Sequence, residues 1–84
     1  MAATYDDIKS WLKKGREGKD ITHMIVVCDT FDWEDYPVYV RKSENVRDIY
    51  CRHDGPNMQK VMEVYSYQLS LENQLCEQKA FHFD

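Results

Sequence analysis

The chain of 84 residues carries a net charge of −4, with 43% hydrophobic and 13% aromatic residues. That length holds one small domain, residues 1–84, and this composition excludes a disordered chain. The negative balance disfavours general nucleic-acid binding, which needs basic surface to displace counterions from phosphate. No apolar run nears the roughly 18 residues that a membrane span requires.

The first predicted element is a helix over residues 5–14. Thr4 and Asp7 stand at the spacing of a capping box, with aspartate in place of the usual Glu or Gln. Tyr5, Ile8, Trp11 and Leu12 recur at helical spacing, Lys13, Lys14 and Arg16 sit where cations suit the helix dipole, and Gly15 and Gly18 end the pattern. The acidic start MAATYDDIKSW lacks the basic-then-apolar order of a signal peptide. Three cysteines, Cys28, Cys51 and Cys76, form no close pair. Together these features give a reducing cytoplasm as the expected compartment.

The stretch THMIVVCDT, residues 22–30, is β-branched and apolar on both faces. His23, Ile25 and Val27 point one way, and Met24, Val26 and Cys28 the other. A strand of this kind is covered on both sides. YPVYVR, residues 36–41, reads as its antiparallel partner, and Pro37 places that partner at an edge or starts it there. Ser43 can cap a short helix carrying Val46, Ile49 and Tyr50.

Asp54-Gly55-Pro56-Asn57 is a stop and restart, and the spacing then predicts a long helix over residues 56–78. One stripe runs through Met58, Val61, Met62, Tyr65, Leu69 and Cys76, a second through Val64, Tyr67, Leu71 and Leu75. Phe81 and Phe83 stand at strand spacing in the tail and offer a third strand. The expected fold is therefore α+β, in the order α-β-β-α-α, with an antiparallel hairpin packed on a long C-terminal helix. Two strands alone are marginal and the helix is apolar over more than half its circumference, so a homodimer or larger assembly is expected.

The hairpin loop within CDTFDWEDYPVY, residues 28–39, holds the densest chemistry. Asp29, Asp32, Glu34 and Asp35 are oxygen donors of the type that calcium or magnesium takes, but they are irregularly spaced and lack the glycine of a calcium loop. A two-carboxylate hydrolase would need a cleft and a raised pKa, which a short turn does not supply. Phe31, Asp32, Trp33, Glu34, Asp35 and Tyr36 form either a plain polar loop or an acidic-aromatic knob for a basic protein surface. CRHD, residues 51–54, departs from zinc-ligand spacing, and neither a metal, a cofactor nor a catalytic residue is assigned. Lys13, Lys14, Arg16 and Lys19 form one basic group, and Arg41, Lys42, Arg47 and Arg52 another. The second group, with Tyr50 for stacking, is an alternative site for a nucleotide or nucleotide-derived signal, set against a simple solvated face. No phosphate loop, nucleophile elbow or zinc-protease motif occurs.

THMIVVCDTFDWEDYPVYV, together with MQKVMEVYSYQL, resembles a family of small uncharacterised bacteriophage-encoded proteins. The resemblance covers most of the chain and carries no catalytic motif. It implies a bacterial host cytoplasm and a non-enzymatic accessory protein that binds a host enzyme, a defence complex or a signalling molecule. The leading expectation is an inhibitor of a host protein acting through the hairpin loop, with no membrane partner.

Overall fold

The computed structural model describes residues 4–18, 20–55, 58–77 and 80–83. Six elements follow in the order α1 (Tyr5–Arg16), β1 (Ile21–Asp29), β2 (Glu34–Arg41), α2 (Val46–His53), β3 (Gln59–Ser66) and α3 (Leu71–Leu75). The strands form one antiparallel sheet in the order β2-β1-β3, with β1 in the middle. Among the described residues, no helix is long and apolar enough to cross a membrane.

Strand β1 organises the rest. Residues 23–28 are all buried, and their alternation divides the core in two. Met24 and Val26 join Ile8, Leu12, Tyr65 and Ala80 on the face that α1 covers. Ile25 and Val27 join Val40, Ile49, Val61 and Val64 on the face that α2 covers. Each Val, Leu, Ile or Met side chain among these, fully buried, contributes about 1.5–3 kcal/mol relative to exposure. The α+β class and the two-sided first strand thus follow the sequence pattern. Pro37 lies within β2 opposite Val26, on an edge strand where its missing N–H is tolerated.

The long helix is replaced by a strand and a short helix. Residues 59–66 pair with β1 along its second edge, so the third strand comes from this segment, and the order is α-β-β-α-β-α. The ladder shifts register between Val26 and Val27, which leaves Met62 as the extra residue of a β-bulge. Because of the bulge, Val61 and Val64 share one face, while Met62 and Tyr65 pack on the other. Three-residue spacing on each face imitates a helix. Both sequence grounds for self-association disappear with it: the sheet has a third strand of its own, and the residues of each stripe are shared between the two faces of that sheet. Pro56, Asn57, Lys19 and Gln78, which figured in the sequence expectations, lie outside the described residues.

The outer edge of β3 is partly closed. The Val64 N–H donates to the Ala80 carbonyl at 2.7 Å, and the His82 N–H donates to the Val64 carbonyl at 3.0 Å, giving a single parallel bridge with the tail in place of a full strand. One residue pair further on, the buried Gln74 amide imitates a strand. Its Oε1 accepts from the Ser66 N–H and its Nε2 donates to the Ser66 carbonyl, both at 2.8 Å. Paired edges do not recruit foreign strands.

The caps follow local chemistry. Thr4 Oγ1 accepts from the Asp7 N–H at 3.2 Å, and Asp7 Oδ2 accepts from the Thr4 N–H at 3.1 Å, so the aspartate capping box forms. For α2 the cap is Asn45, whose Oδ1 accepts from the N–H groups of Arg47 and Asp48, and not Ser43. Helix α1 runs through Gly15 because the sheet approaches it there. Tyr39 donates its phenolic proton to the Trp11 carbonyl at 2.9 Å and Tyr67 donates to the Leu12 carbonyl at 2.8 Å. A Cβ at Gly15 would collide with the Tyr67 hydroxyl and come within 2.7 Å of the Tyr39 ring.

Two predictions follow from this crossing. Gly15→Ala gains about 1 kcal/mol in helix propensity but overpacks a contact at a cost of about 1–3 kcal/mol and strains the Tyr67 hydrogen bond. Denaturant titration should show a net loss of stability, and the loss should shrink in a Tyr67→Phe background. Burial, reinforced by the neighbouring Tyr39, pushes the Tyr67 phenol well above its ordinary value of 10.0, and burial with the Glu63 hydrogen bond does the same for Tyr65. Below that ordinary value both states hold the proton and stability is level. Above it the unfolded chain releases protons that the folded chain keeps, so stability falls as pH rises. Ultraviolet difference spectra should show these tyrosines ionising together with loss of the fold.

Candidate functional site

The β1–β2 hairpin closes through Thr30, Phe31, Asp32 and Trp33. The Trp33 N–H donates to the Asp29 carbonyl at 2.7 Å, Asp29 Oδ1 accepts from the Phe31 N–H at 2.9 Å, and Asp32 Oδ1 accepts from the Glu34 N–H at 3.2 Å. Two of the loop's carboxylates therefore shape the turn. Trp33 takes a φ of 60°, the left-handed region that glycine and asparagine normally fill. The residue is 64% exposed, and Phe31 is 76% exposed.

Met58 completes this end of the sheet. The N–H and hydroxyl of Thr30 donate to its carbonyl at 2.7 and 2.8 Å, tying the start of β3 to the hairpin loop. Met58 also has a φ of 60° and is 58% exposed. Among the described residues, Trp33 and Met58 are the non-glycine residues with positive φ. Both carry large apolar side chains into solvent at the same end of the molecule. Sequence periodicity put Met58 inside a helix stripe, and only the β1–β3 pairing brings it to the hairpin.

The six candidate knob residues divide. Phe31, Asp32, Trp33 and Glu34 are exposed, whereas Asp35 and Tyr36 are half-buried within β2. Tyr36 pairs with Val27 and packs on the α2-side core. Burial first, and Asp29 second, raises its phenol. It is a wall of the core more than part of the knob. Asp35 stands opposite Cys28, whose thiol is pushed up by burial and by the hydrogen bond to that carboxylate. The exposed surface is thus Phe31, Trp33 and Met58, bordered by Asp32 and Glu34.

The alternative cationic set is spread out. Arg41 and Lys42 lie at the far end of β2 from the hairpin loop. Arg47 and Arg52 both belong to α2 but, five residues apart, project about 140° apart around its axis. Arg47 and Tyr50 instead converge on Phe83. The guanidinium lies 4.6 Å from the ring centroid, and the Tyr50 ring meets it edge-on at 5.3 Å. Tyr50 also bonds to Asp54, which, ahead of burial, raises its phenol. Arg47 and Tyr50, two of the five residues of the nucleotide hypothesis, are therefore engaged in docking the tail.

CRHD is likewise absorbed by the fold. His53 Nδ1 meets Gln59 Oε1 at 2.7 Å, and Asp54 Oδ1 accepts from the Val61 N–H at 3.3 Å. Cys51 and Cys76 are exposed free thiols, while Cys28 is buried. Among the described residues, no group of three or more His, Cys, Asp or Glu side chains is arranged to hold a metal ion. No family model matches the chain, and neither the curated proteins nor the solved structures compared with it give a match.

The left-handed backbone at Trp33 costs an L-residue roughly 1–2 kcal/mol. Trp33→Gly removes that strain, at a loss of about 0.5–1 kcal/mol in chain entropy. Its melting temperature should match or exceed that of the wild type. A clear fall in melting temperature would show that the indole supports the fold.

Proposed function

We propose that this chain is a non-enzymatic protein-binding domain that presents Phe31, Trp33 and Met58 to a basic surface of another protein. The observation that carries the proposal is the pair of left-handed backbones at Trp33 and Met58. At each, a large apolar side chain stands mostly in solvent on backbone that glycine adopts without strain. Aromatic side chains that become buried on association are the usual anchors of binding energy. Asp32 and Glu34 beside them add orientation and electrostatic steering towards positive charge. The similarity to small phage-encoded proteins suggests a bacterial partner, a host enzyme or defence complex that the domain would inhibit in the cytoplasm.

The test uses the wild type and the double variant Phe31→Ser/Trp33→Gly as baits in bacterial lysate. Tyr36 is left intact because its ring supports the core. A specific partner should be retained by the wild type, lost by the variant, and held more weakly as ionic strength rises. Equal retention by a folded variant removes the hairpin from the interface.

A further inference from the structure

On the face of α1 away from the hairpin loop, a groove of about 640 Å³ runs between α1 and α3. That size lies within the range of about 300–1,000 Å³ typical of small-molecule clefts. Its apolar lining comes from Leu12, Leu69, Leu71 and Leu75. Leu12 is fully buried, Leu71 and Leu75 pack partly into the α1-side core, and Leu69 is 40% exposed. Lys9, Lys13 and Arg16 line the same groove from α1. They stand at i, i+4 and i+7, one stripe of the helix, so their cationic ends lie along one wall.

Two acids, Asp6 and Glu72, also line the groove. Three cations against these two acids leave the lining with one positive charge in excess. Among the described residues, the ion pair within 4 Å is His82 with Glu77, at another place on the surface. Cations near the end of α1 do suit the helix dipole, which accounts for Lys13 and Arg16. It does not account for Lys9 in the middle of the helix, nor for the leucines beneath the stripe. A net positive charge over a leucine floor, in a chain of net charge −4, favours an anion with an apolar body.

The walls decide between a small molecule and a peptide. Helix α3 has five residues, a length of roughly 7–8 Å. A wall of one and a half turns does not grip successive turns of a docked helix, but it does cover a short alkyl chain. We propose that the groove between α1 and α3 binds a free single-chain anionic amphiphile, with its carboxylate or phosphate head on Lys9, Lys13 and Arg16 and its alkyl chain on Leu12, Leu69, Leu71 and Leu75. This site is separate from the hairpin end, and its occupancy does not depend on the protein-binding role proposed there.

The experiment uses the full chain, with binding read by titration calorimetry. Decanoate and decyl phosphate, each below its micelle concentration, are compared with uncharged decanol and with acetate. Both anionic amphiphiles should bind saturably, one per chain, and amide resonances of α1 and α3 should shift. Decanol should bind about tenfold more weakly or worse, as expected for loss of a charged head contact, and acetate should not bind. Lys9→Glu/Lys13→Glu alters exposed side chains and should melt like the parent. It should lose about tenfold in decanoate affinity while keeping its decanol affinity. The proposal is overturned if decanoate does not saturate, if decanol binds equally well, or if the shifts fall on the hairpin. It is overturned equally if anionic vesicles bind while free decanoate does not.

Discussion

Everything in this fold answers to one constraint, the burial of six consecutive residues of β1 from His23 to Cys28. A strand apolar on both faces needs two covering layers, and a strand with no solvent edge needs two partners. Helices α1 and α2 supply the layers, and β2 and β3 supply the partners. The outer edges of the sheet are closed in part by single devices: a glutamine side chain against Ser66, one bridge from the tail against Val64, and a proline on β2.

The tyrosines show how that core is tied together. Tyr39 and Tyr67 come from opposite sides of β1, one on β2 and one just after β3, and both donate to carbonyls of α1. Their rings fill the space that Gly15 leaves open. Helix packing and sheet register are therefore coupled at one point, because a slip of either outer strand would pull a hydroxyl away from its acceptor. The high tyrosine content is thus partly structural. Tyr36, Tyr39, Tyr50, Tyr65 and Tyr67 all pack against one of the two cores, and Tyr5 is the exposed one.

Against this economy, the hairpin end stands out. Phe31, Trp33 and Met58 contribute little buried area to the domain, and two of them sit on backbone that disfavours any side chain. The groove along α1 has the opposite polarity, cationic over leucine. The two surfaces lie on different parts of a molecule about 31 Å in its longest dimension. A small domain can carry two such separate surfaces because its core needs only the inward positions of each element.

Much of this was legible in the chain itself. The two-faced strand THMIVVCD, the edge character of Pro37 and the Thr4–Asp7 cap follow from period-2 alternation and local hydrogen-bonding chemistry, which need no distant partner. Long-range pairing decided the rest. The segment 59–66 has helix-forming residues and three-residue apolar spacing, and only the bulge opposite β1 turns that spacing into a strand that serves both cores. Met58 reached the hairpin, Tyr36 joined the core and Arg47 met Phe83 for the same reason. Each position depends on which strand lies beside which, a choice settled by the free energy of closing β1 on both edges and not by the residues of any one segment.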